Sequence, residues 1–364
     1  MLRSSNIQNS QLDFNDNVYV DSSIVPDRIR TRSNDVLMCV RNGSKSLVGK
    51  TALISDEHSD LAWGAFMTVL RPNTNNTLLY HYLNSPSFRK QVFPDLETAT
   101  VKQITMSTLN RIKLLVPNTD EQDKISDFLS ALDKRIEKQR QLVEALKSYK
   151  RGLSEALFSG KIGRWDLSNI PCGKYKLGEL GYFYNGLSGK NKNDFGKGTS
   201  QYISYMNVYK NLIADEHILE NVIVSATEKQ NSVKYGDVLF TQSSETLNEV
   251  GYTSVWLSKS TPFLNSFCFG FRFYEQEQTD PYFIAHYFRS STIRKSIMRE
   301  GQGATRVNLS SERLKDMVIL LPPVHIQKEI GKILNHLEQQ IEINAHIEIQ
   351  LSIYKSRLLQ QLFI

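Results

Sequence analysis

Cysteine is scarce: Cys39, Cys172 and Cys268 are the only three in 364 residues, and no two are spaced as a pair. That excludes a disulfide scaffold and any zinc site built on cysteine pairs. No stretch approaches the ~18 uncharged apolar residues of a transmembrane helix, and the opening Met-Leu-Arg-Ser-Ser-Asn has no apolar run. Neither a membrane span nor a secretory leader is expected, and a cytoplasmic location follows as the default. Catalytic signatures are missing as well. The glycine-rich stretch from Gly186 to Gly198 fails the spacing of a phosphate loop and reads as a mobile basic loop. Leu321-Pro-Pro-Val324 lacks the polar opener and the aromatic that an amino-group methyltransferase needs, and Pro94-Asp95 has no Glu-x-Lys behind it for a nuclease. The seven histidines form no metal-binding set, and no Gly-x-Ser-x-Gly elbow is present. His81 and His286 fall in expected helices and read as satisfied structural histidines. Neither catalysis nor a bound metal or cofactor is expected of this chain.

What is present is a repeat. Asp35-Val36-Leu37 recurs as Asp237-Val238-Leu239, 202 residues on. Past a three-residue insertion the offset becomes 205 and holds: His81-Tyr82 with His286-Tyr287, Ala99-Thr100 with Ala304-Thr305, Pro117 with Pro322, Gln122 with Gln327, Tyr149-Lys150 with Tyr354-Lys355. A period this long marks a duplicated domain pair, and two similar units in one chain invite pseudo-two-fold symmetry. The run-in from Gly173 to Tyr202 has no counterpart ahead of Ser5-Asn6-Ile7, so the first copy is read as shortened at its start.

The fold class is α+β: a duplicated mixed domain, each copy followed by a long helix. Domain boundaries are expected at 1–118, 119–160, 161–322 and 323–364. Asp35–Val40 and Asp237–Thr241 have the β-branched, apolar character of buried strands, while Leu78–Asn84 and Tyr282–Arg289 predict short helices. Thr119 with Gln122 predicts a capping box after Pro117. Beyond it, Ile125, Leu129, Leu132, Ile136, Val143, Leu146, Leu153 and Leu157 follow the alternating spacing of a coiled-coil seam. The second copy repeats it with Ile330, Leu334, Leu337, Ile341, Leu351, Leu358 and Leu362, and polar Gln139 and Asn344 share one seam position. About 40 residues at ~1.5 Å each make a rod of roughly 60 Å. A long core helix on each domain is the plainer alternative. The preferred reading packs the two rods together and holds the mixed domains apart.

The 44 Lys and Arg against 38 Asp and Glu leave a net charge of +6, which permits nucleic-acid binding without requiring it. Cations concentrate at Arg289, Arg294, Lys295, Arg299 and Arg306, around the flexible Gly301-Gln-Gly-Ala-Thr305. Arg89, Lys90 and Lys102 form a weaker version around Thr100. Candidate base readers are Arg3, Asn6, Arg41 and Asn42 in the first copy and Tyr205, Asn207, Gln242 and Ser243 in the second. Arginine suits guanine O6 and N7, and Asn or Gln suits adenine. Two similar but unlike readers imply an asymmetric target in two halves, on a duplex that repeats every ~34 Å.

These features together resemble the specificity subunit of a type I restriction–modification system. The resemblance rests on Asn34-Asp-Val-Leu37 with Gly236-Asp-Val-Leu239, on Leu320-Leu-Pro-Pro323 leading into Gln327-Lys-Glu-Ile330, on Asn118-Thr-Asp-Glu-Gln122 leading into Ile125, and on the order domain, helix, domain, helix. It implies that the mixed domains are target-recognition domains reading a bipartite DNA site. It also implies that the helices form an antiparallel coiled-coil spacer docking modification subunits, two in number, and restriction subunits. S-adenosylmethionine, ATP and magnesium then belong to those partners. The seam residues carry over as spacer and partner surface, and Thr100, Thr305 and Arg306 as candidate DNA-loop residues. The alternative is a coiled-coil scaffold whose mixed domains bind something other than DNA.

Overall fold

The computed structural model describes residues 1–98, 102–159, 170–303 and 305–363. Its main elements, in chain order, begin with strands β1 (Val36–Cys39), β2 (Thr51–Leu53) and β3 (Met67–Leu70). Helices α1 (Leu78–Leu83), α2 (Pro86–Thr98) and the long α3 (Thr119–Phe158) follow. Next come β4 (Gly173–Lys176), β5 (Gly181–Asn185), α4 (Tyr205–Lys210), β6 (Val238–Thr241), β7 (Ser243–Ser244), β8 (Thr253–Val255) and β9 (Cys268–Phe273). Helices α5 (Pro281–Arg289) and α6 (Ser291–Arg299), strands β10 (Val307–Asn308) and β11 (Val318–Leu321), and helix α7 (Val324–Leu362) complete the chain. Two compact units result: Met1–Leu142 with Asn344–Ile364, and Val143–Ile343. Each takes part of both long helices.

The repeated Asp-Val-Leu motif opens the central strand of each unit. β1 lies antiparallel between β2 and β3, and β6 lies antiparallel between β8 and β9. All four residues of each central strand are buried, which explains their continuous apolar run. The preceding residue turns through left-handed backbone, Asn34 at φ 65° and Gly236 at φ 83°, where asparagine and glycine are the tolerated residues. The buried aspartate is held on two sides. Arg71 Nε and Nη2 each donate to Asp35 at 2.7 Å, and the Arg32 amide adds a third bond at 2.7 Å. Arg272 does the same for Asp237 at 2.8 and 2.6 Å, joined by the Lys234 amide at 2.8 Å and the Tyr184 hydroxyl at 2.5 Å.

The second unit has two strands for which the described residues of the first hold no equivalent. β5 pairs with β9 as a fourth strand, and β4 pairs with β11. Both come from the run-in that the repeat lacks in its first copy. The consequence is visible in exposure: Val116 is 58% exposed, whereas its repeat partner Leu321 is 6% exposed under β4. The stretch from Gly186 to Gly198 departs from the expected mobile loop. Lys190 donates to Glu228 at 2.7 Å, and Gly196 and Gly198 belong to the strand Phe195–Ile203, at a bulge in its pairing with Glu220–Val222.

In both units the long helices run antiparallel. Within the first, Asp133 of α3 pairs with Lys355 of α7, Arg140 Nε reaches Glu348 at 3.0 Å, and Gln139 Nε2 donates to Asn344 Oδ1 at 2.8 Å. Within the second, Lys150 pairs with Glu338. The repeat maps Asp133 onto Glu338 and Lys150 onto Lys355, so one charge pair is built twice with its partners exchanged. Of the seam, Leu129, Ile136, Gln139, Val143, Ile330, Leu334 and Ile341 are buried, while Ile125, Leu132, Leu146, Leu153, Leu337, Asn344, Leu351 and Leu358 are half-buried. The helices also enter the domain cores: Leu129 joins the first, and Leu157, Ile330 and Leu334 join the second. Within each unit the two helices thus pair with each other and also enter the domain core.

Two local expectations change. Leu362 is exposed, and Leu359 and Phe363 are the residues buried in the first unit's core. A straight helix drifts ~20° per heptad from a strict seven-residue repeat, so its apolar stripe leaves the seam near its end. The expected capping box is also not formed as read. Asn118 Oδ1 accepts from the Glu121 amide at 3.0 Å, while Gln122 Nε2 reaches back to the Pro117 carbonyl at 2.8 Å. Gln327 makes the equivalent bond to Pro322 at 2.8 Å.

The repeat-related His81 and His286 lie buried against this layer, and one ring nitrogen of each, Nδ1 and Nε2 respectively, has no hydrogen-bond partner among the described residues. The other nitrogen of His81, Nε2, lies 3.3 Å from the Ser130 hydroxyl, so that histidine is half satisfied. Burial, with Lys355 near His81 and Lys150 near His286, pushes both imidazoles down to about 3. Both stay neutral in the folded chain, whereas the unfolded chain takes up protons below the ordinary value of about 6.5. Their contribution to stability is full above that value and is lost as the pH falls toward 3, at up to ~1.4 kcal/mol per pH unit for each histidine. Thermal melts between pH 7.5 and 5 should show this loss, and His81→Gln with His286→Gln should flatten it. The buried carboxylates make a second prediction. Asp237→Ala strands an arginine side chain only 15% exposed and should cost about 3 kcal/mol, as for other broken buried pairs. Asp35→Ala should cost less, because Arg71 is 44% exposed and can turn to water. Hydrogen exchange of β1 and β6 amides measures both.

Candidate nucleic-acid interface

The second unit carries a cleft of about 450 Å³ where the central strand ends. Tyr205, Met206 and Tyr209 of α4, Ser243 and Ser244 of β7, Glu245, Glu249, Phe267 and Arg306 line it. Tyr205 is pinned by its hydroxyl, which donates to the Ser243 carbonyl at 2.7 Å, and its ring stacks on Tyr209 with centroids 6.1 Å apart. Tyr209 in turn donates to Glu249 at 2.7 Å; this bond and one from Thr246 hold the Glu249 carboxyl below its ordinary range. β7 pairs antiparallel with β10, which brings Arg306, just ahead of β10, to the cleft. Gly303 has φ 124°, and a Cβ there would collide with the Arg306 carbonyl oxygen, so glycine is required. Thr305 and Arg306 are exposed, and so is Gln242 on the strand end. Three of the sequence candidates, Tyr205, Ser243 and Arg306, thus meet in one cleft.

Others belong to the scaffold. Asn207 is buried, its amide donating to the Asp215 carbonyl and its Oδ1 accepting from the Asp215 amide, so it closes a loop and cannot reach a base. Arg294 is buried too, donating to the carbonyls of Gly251 and Val250 at 2.6 Å and Asn248 at 3.1 Å. Arg289 donates to the carbonyls of Thr253, Val208, Tyr209 and Asn211, and desolvation pushes its guanidinium down to about 10. The two guanidinium groups lie 4.5 and 4.6 Å from the centre of the Tyr252 ring. The basic segment therefore splits by helical phase: Arg294 turns inward on α6, while Lys295 and Arg299 are exposed.

The first unit builds the same strand end. Arg41 bridges antiparallel to Gln103, as Ser243 pairs with Asn308, and the Arg41 side chain is exposed. Its guanidinium lies 5.3 Å from the centre of the Phe66 ring. Asn6 is fully buried, with its amide donating to the carbonyls of Asp13 and Asp16 and its Oδ1 accepting from the Arg3 amide, so it too is structural. Arg3 is ion-paired to Asp16 at 2.8 Å. Asn42 is held in its turn by bonds to Ser4 and Ser44, and the half-buried Lys102 donates to the Leu96 carbonyl at 2.9 Å. Thr100 lies outside the described residues.

Sequence reading missed Phe66, Phe267, Met206, Tyr209 and Glu245. Their signal was available only through register, since Phe66 and Phe267 occupy equivalent turns whose flanking residues differ. Among the described residues no group of three or more His, Cys, Asp or Glu is placed to hold a metal, and no helix is long and apolar enough to cross a membrane.

Comparison with known proteins points one way. The profile of the type I restriction modification DNA specificity domain matches residues 6–147 and 170–352. The chain is 26% identical over 373 residues to the specificity subunit of the type I restriction enzyme EcoKI from Escherichia coli K12, covering 97% of this chain and 77% of that one. It is 24% identical over 396 residues to the putative MjaX specificity subunit of Methanocaldococcus jannaschii, covering 99% and 85%. The crystal structure of a type I restriction–modification S subunit from M. genitalium superposes with a TM-score of 0.57 at 17% identity, over 100% of this chain and 92% of that one, and shares its fold. With two matched copies spanning most of its length, the chain belongs to the family of type I restriction–modification DNA specificity subunits, whose members are non-catalytic.

Proposed function

We propose that each mixed domain reads one half of a bipartite, asymmetric DNA site, and that the paired helices hold the two readers and carry the partner subunits. The observation that carries this reading is the strand-end cleft of the second unit, where Tyr205, Ser243 and Arg306 converge beside exposed Gln242. The division of labour is geometric. Polar and aromatic side chains on a rigid strand end meet base edges, while Lys295 and Arg299 on α6 and Arg306 on its turn meet phosphates. The equivalent position of the first unit carries Arg41 where the second carries Ser243, so the two half-sites differ. Methyl transfer from S-adenosylmethionine and ATP- and magnesium-dependent restriction belong to the partners, and this chain supplies the address. Two modification subunits are proposed because repeat-related Tyr149 and Tyr354 are 61% and 51% exposed, one equivalent patch on each long helix.

Selection from randomised duplex DNA by the assembled complex should yield a gapped motif with unlike halves, and recovery of no motif would favour a protein scaffold. In the same complex Arg306→Ala should weaken binding to every sequence alike and lower the salt slope by about one. A change confined to one base position would make Arg306 a base reader instead. For docking, Tyr149→Asp and Tyr354→Asp should each remove one modification subunit, read by native mass spectrometry. Neither should shift the melting temperature, because both side chains stand in solvent.

A further inference from the structure

We infer that Phe66 and Phe267 are base-contacting side chains, one in each recognition domain, that set sequence preference by apolar contact with base edges beside an arginine. The inference rests on the DNA-reading function proposed above. Both residues occupy the third position of a tight turn that leads into the third strand of the sheet. Met67 N–H closes that turn on the Gly64 carbonyl at 2.9 Å, and Cys268 N–H closes its equivalent on Asn265 at 3.0 Å. The backbone of each phenylalanine is then fixed to the end of the central strand: its carbonyl accepts from the Val40 amide at 3.0 Å and from the Gln242 amide at 2.9 Å. Each ring is thereby presented at the strand end that carries Arg41 in one unit and Ser243 in the other.

A single exposed phenylalanine is common and calls for no explanation. Recurrence changes that. Gly64-Ala65 before the first ring and Met67–Leu70 after it differ at every position from Asn265-Ser266 and Cys268–Phe271, while the phenylalanine itself is kept. Burial does not account for its retention, since the rings are 55% and 62% exposed and have no aromatic partner among the described residues. What the two surroundings share is a guanidinium. Arg41 lies over the Phe66 ring, and Arg306 lines the same cleft as Phe267. In the first unit the ring beside the Arg41 guanidinium offers a base both an apolar face and a donor fork, which suits contact with a thymine methyl next to a guanine. In the second unit Arg306 holds the adjacent phosphate and leaves the Phe267 ring to stack on a displaced base or meet a thymine methyl. The aromatic also restrains the arginine side chain, so less freedom is lost on binding.

The test uses the full chain assembled with its modification subunits, on two duplexes: the selected target and a random sequence of equal length. Phe66→Ala should weaken target binding about tenfold and relax preference in one half-site, and Phe267→Ala should do the same in the other. Binding to random duplex and the salt slope should not move, and leucine at either position should recover part of the loss. Thermal melts should match the unsubstituted chain. Equal losses on both duplexes, or no loss on the target, would overturn the assignment. An unsubstituted complex with no preference for any sequence would overturn the DNA-reading function itself, and this assignment with it.

Discussion

A fully buried aspartate gripped by a two-pronged arginine fixes the start of the central strand in each unit, and the rest of the reading surface depends on it. A buried carboxylate without such a partner is costly, so the arginine on the third strand cannot leave its place without exposing an unpaired charge to the core. The strand is therefore registered against its neighbour by electrostatics as well as by the amide ladder. Its far end, at Arg41 in one copy and Gln242-Ser243 in the other, inherits that precision. Side chains that discriminate bases have to be held to a few tenths of an ångström, and strand ends supply this better than free loops. The repeated Asp-Val-Leu motif is thus a foundation under the strand ends.

The basic segment shows how position within an element separates structure from contact. Arg289 and Arg294 carry the same charge as Lys295 and Arg299, yet the first pair is tied to backbone carbonyls around Tyr252 and the second pair is exposed. One residue along a helix is a turn of about 100°, enough to carry a guanidinium from the core to solvent. A guanidinium in the core must then find acceptors, and the backbone carbonyls of Val208, Tyr209, Asn211 and Thr253 for Arg289, and of Asn248, Val250 and Gly251 for Arg294, provide them. Burial makes these arginines braces for the cleft wall, because Tyr252 also meets Tyr209, which stacks on Tyr205. Loss of a brace would disturb the reader through three rings in contact.

The duplicated architecture, the strand that opens with Asp-Val-Leu, the short helices and the long seam were all legible in the sequence, because each is written as a period or as a repeated word. Burial of individual polar residues was not. Asn6 and Asn207 look like base readers by type, and it is the loop carbonyls folded over them, from Asp13, Asp16 and Asp215, that turn them into internal fasteners. Those carbonyls come from segments with no pattern of their own. The end of α7 was missed by one residue of phase, since heptad counting cannot show where a stripe leaves its partner helix for a domain core. Phe66 and Phe267 escaped notice because one phenylalanine beside a turn carries no message until the two turns are superposed.

Duplication also explains how such a chain can change its target without refolding. What the copies share is internal: the aspartate–arginine pair, the buried histidine, the glutamine that reaches back to a proline carbonyl, the charge pair between helices. What they do not share includes the strand ends, where Arg41 stands against Ser243 and Gln103 against Asn308. Substitutions there touch few buried atoms and so cost little stability. The internal positions are coupled, with each arginine answering one aspartate and each lysine one carboxylate on the facing helix, so a single change among them leaves a charge unpaired. If the strand ends read bases as proposed, selection for a new DNA sequence can act on the first group while the second holds the fold. At the strand ends the feature that crosses this division is the exposed phenylalanine, kept in both copies while the residues of its turn have diverged.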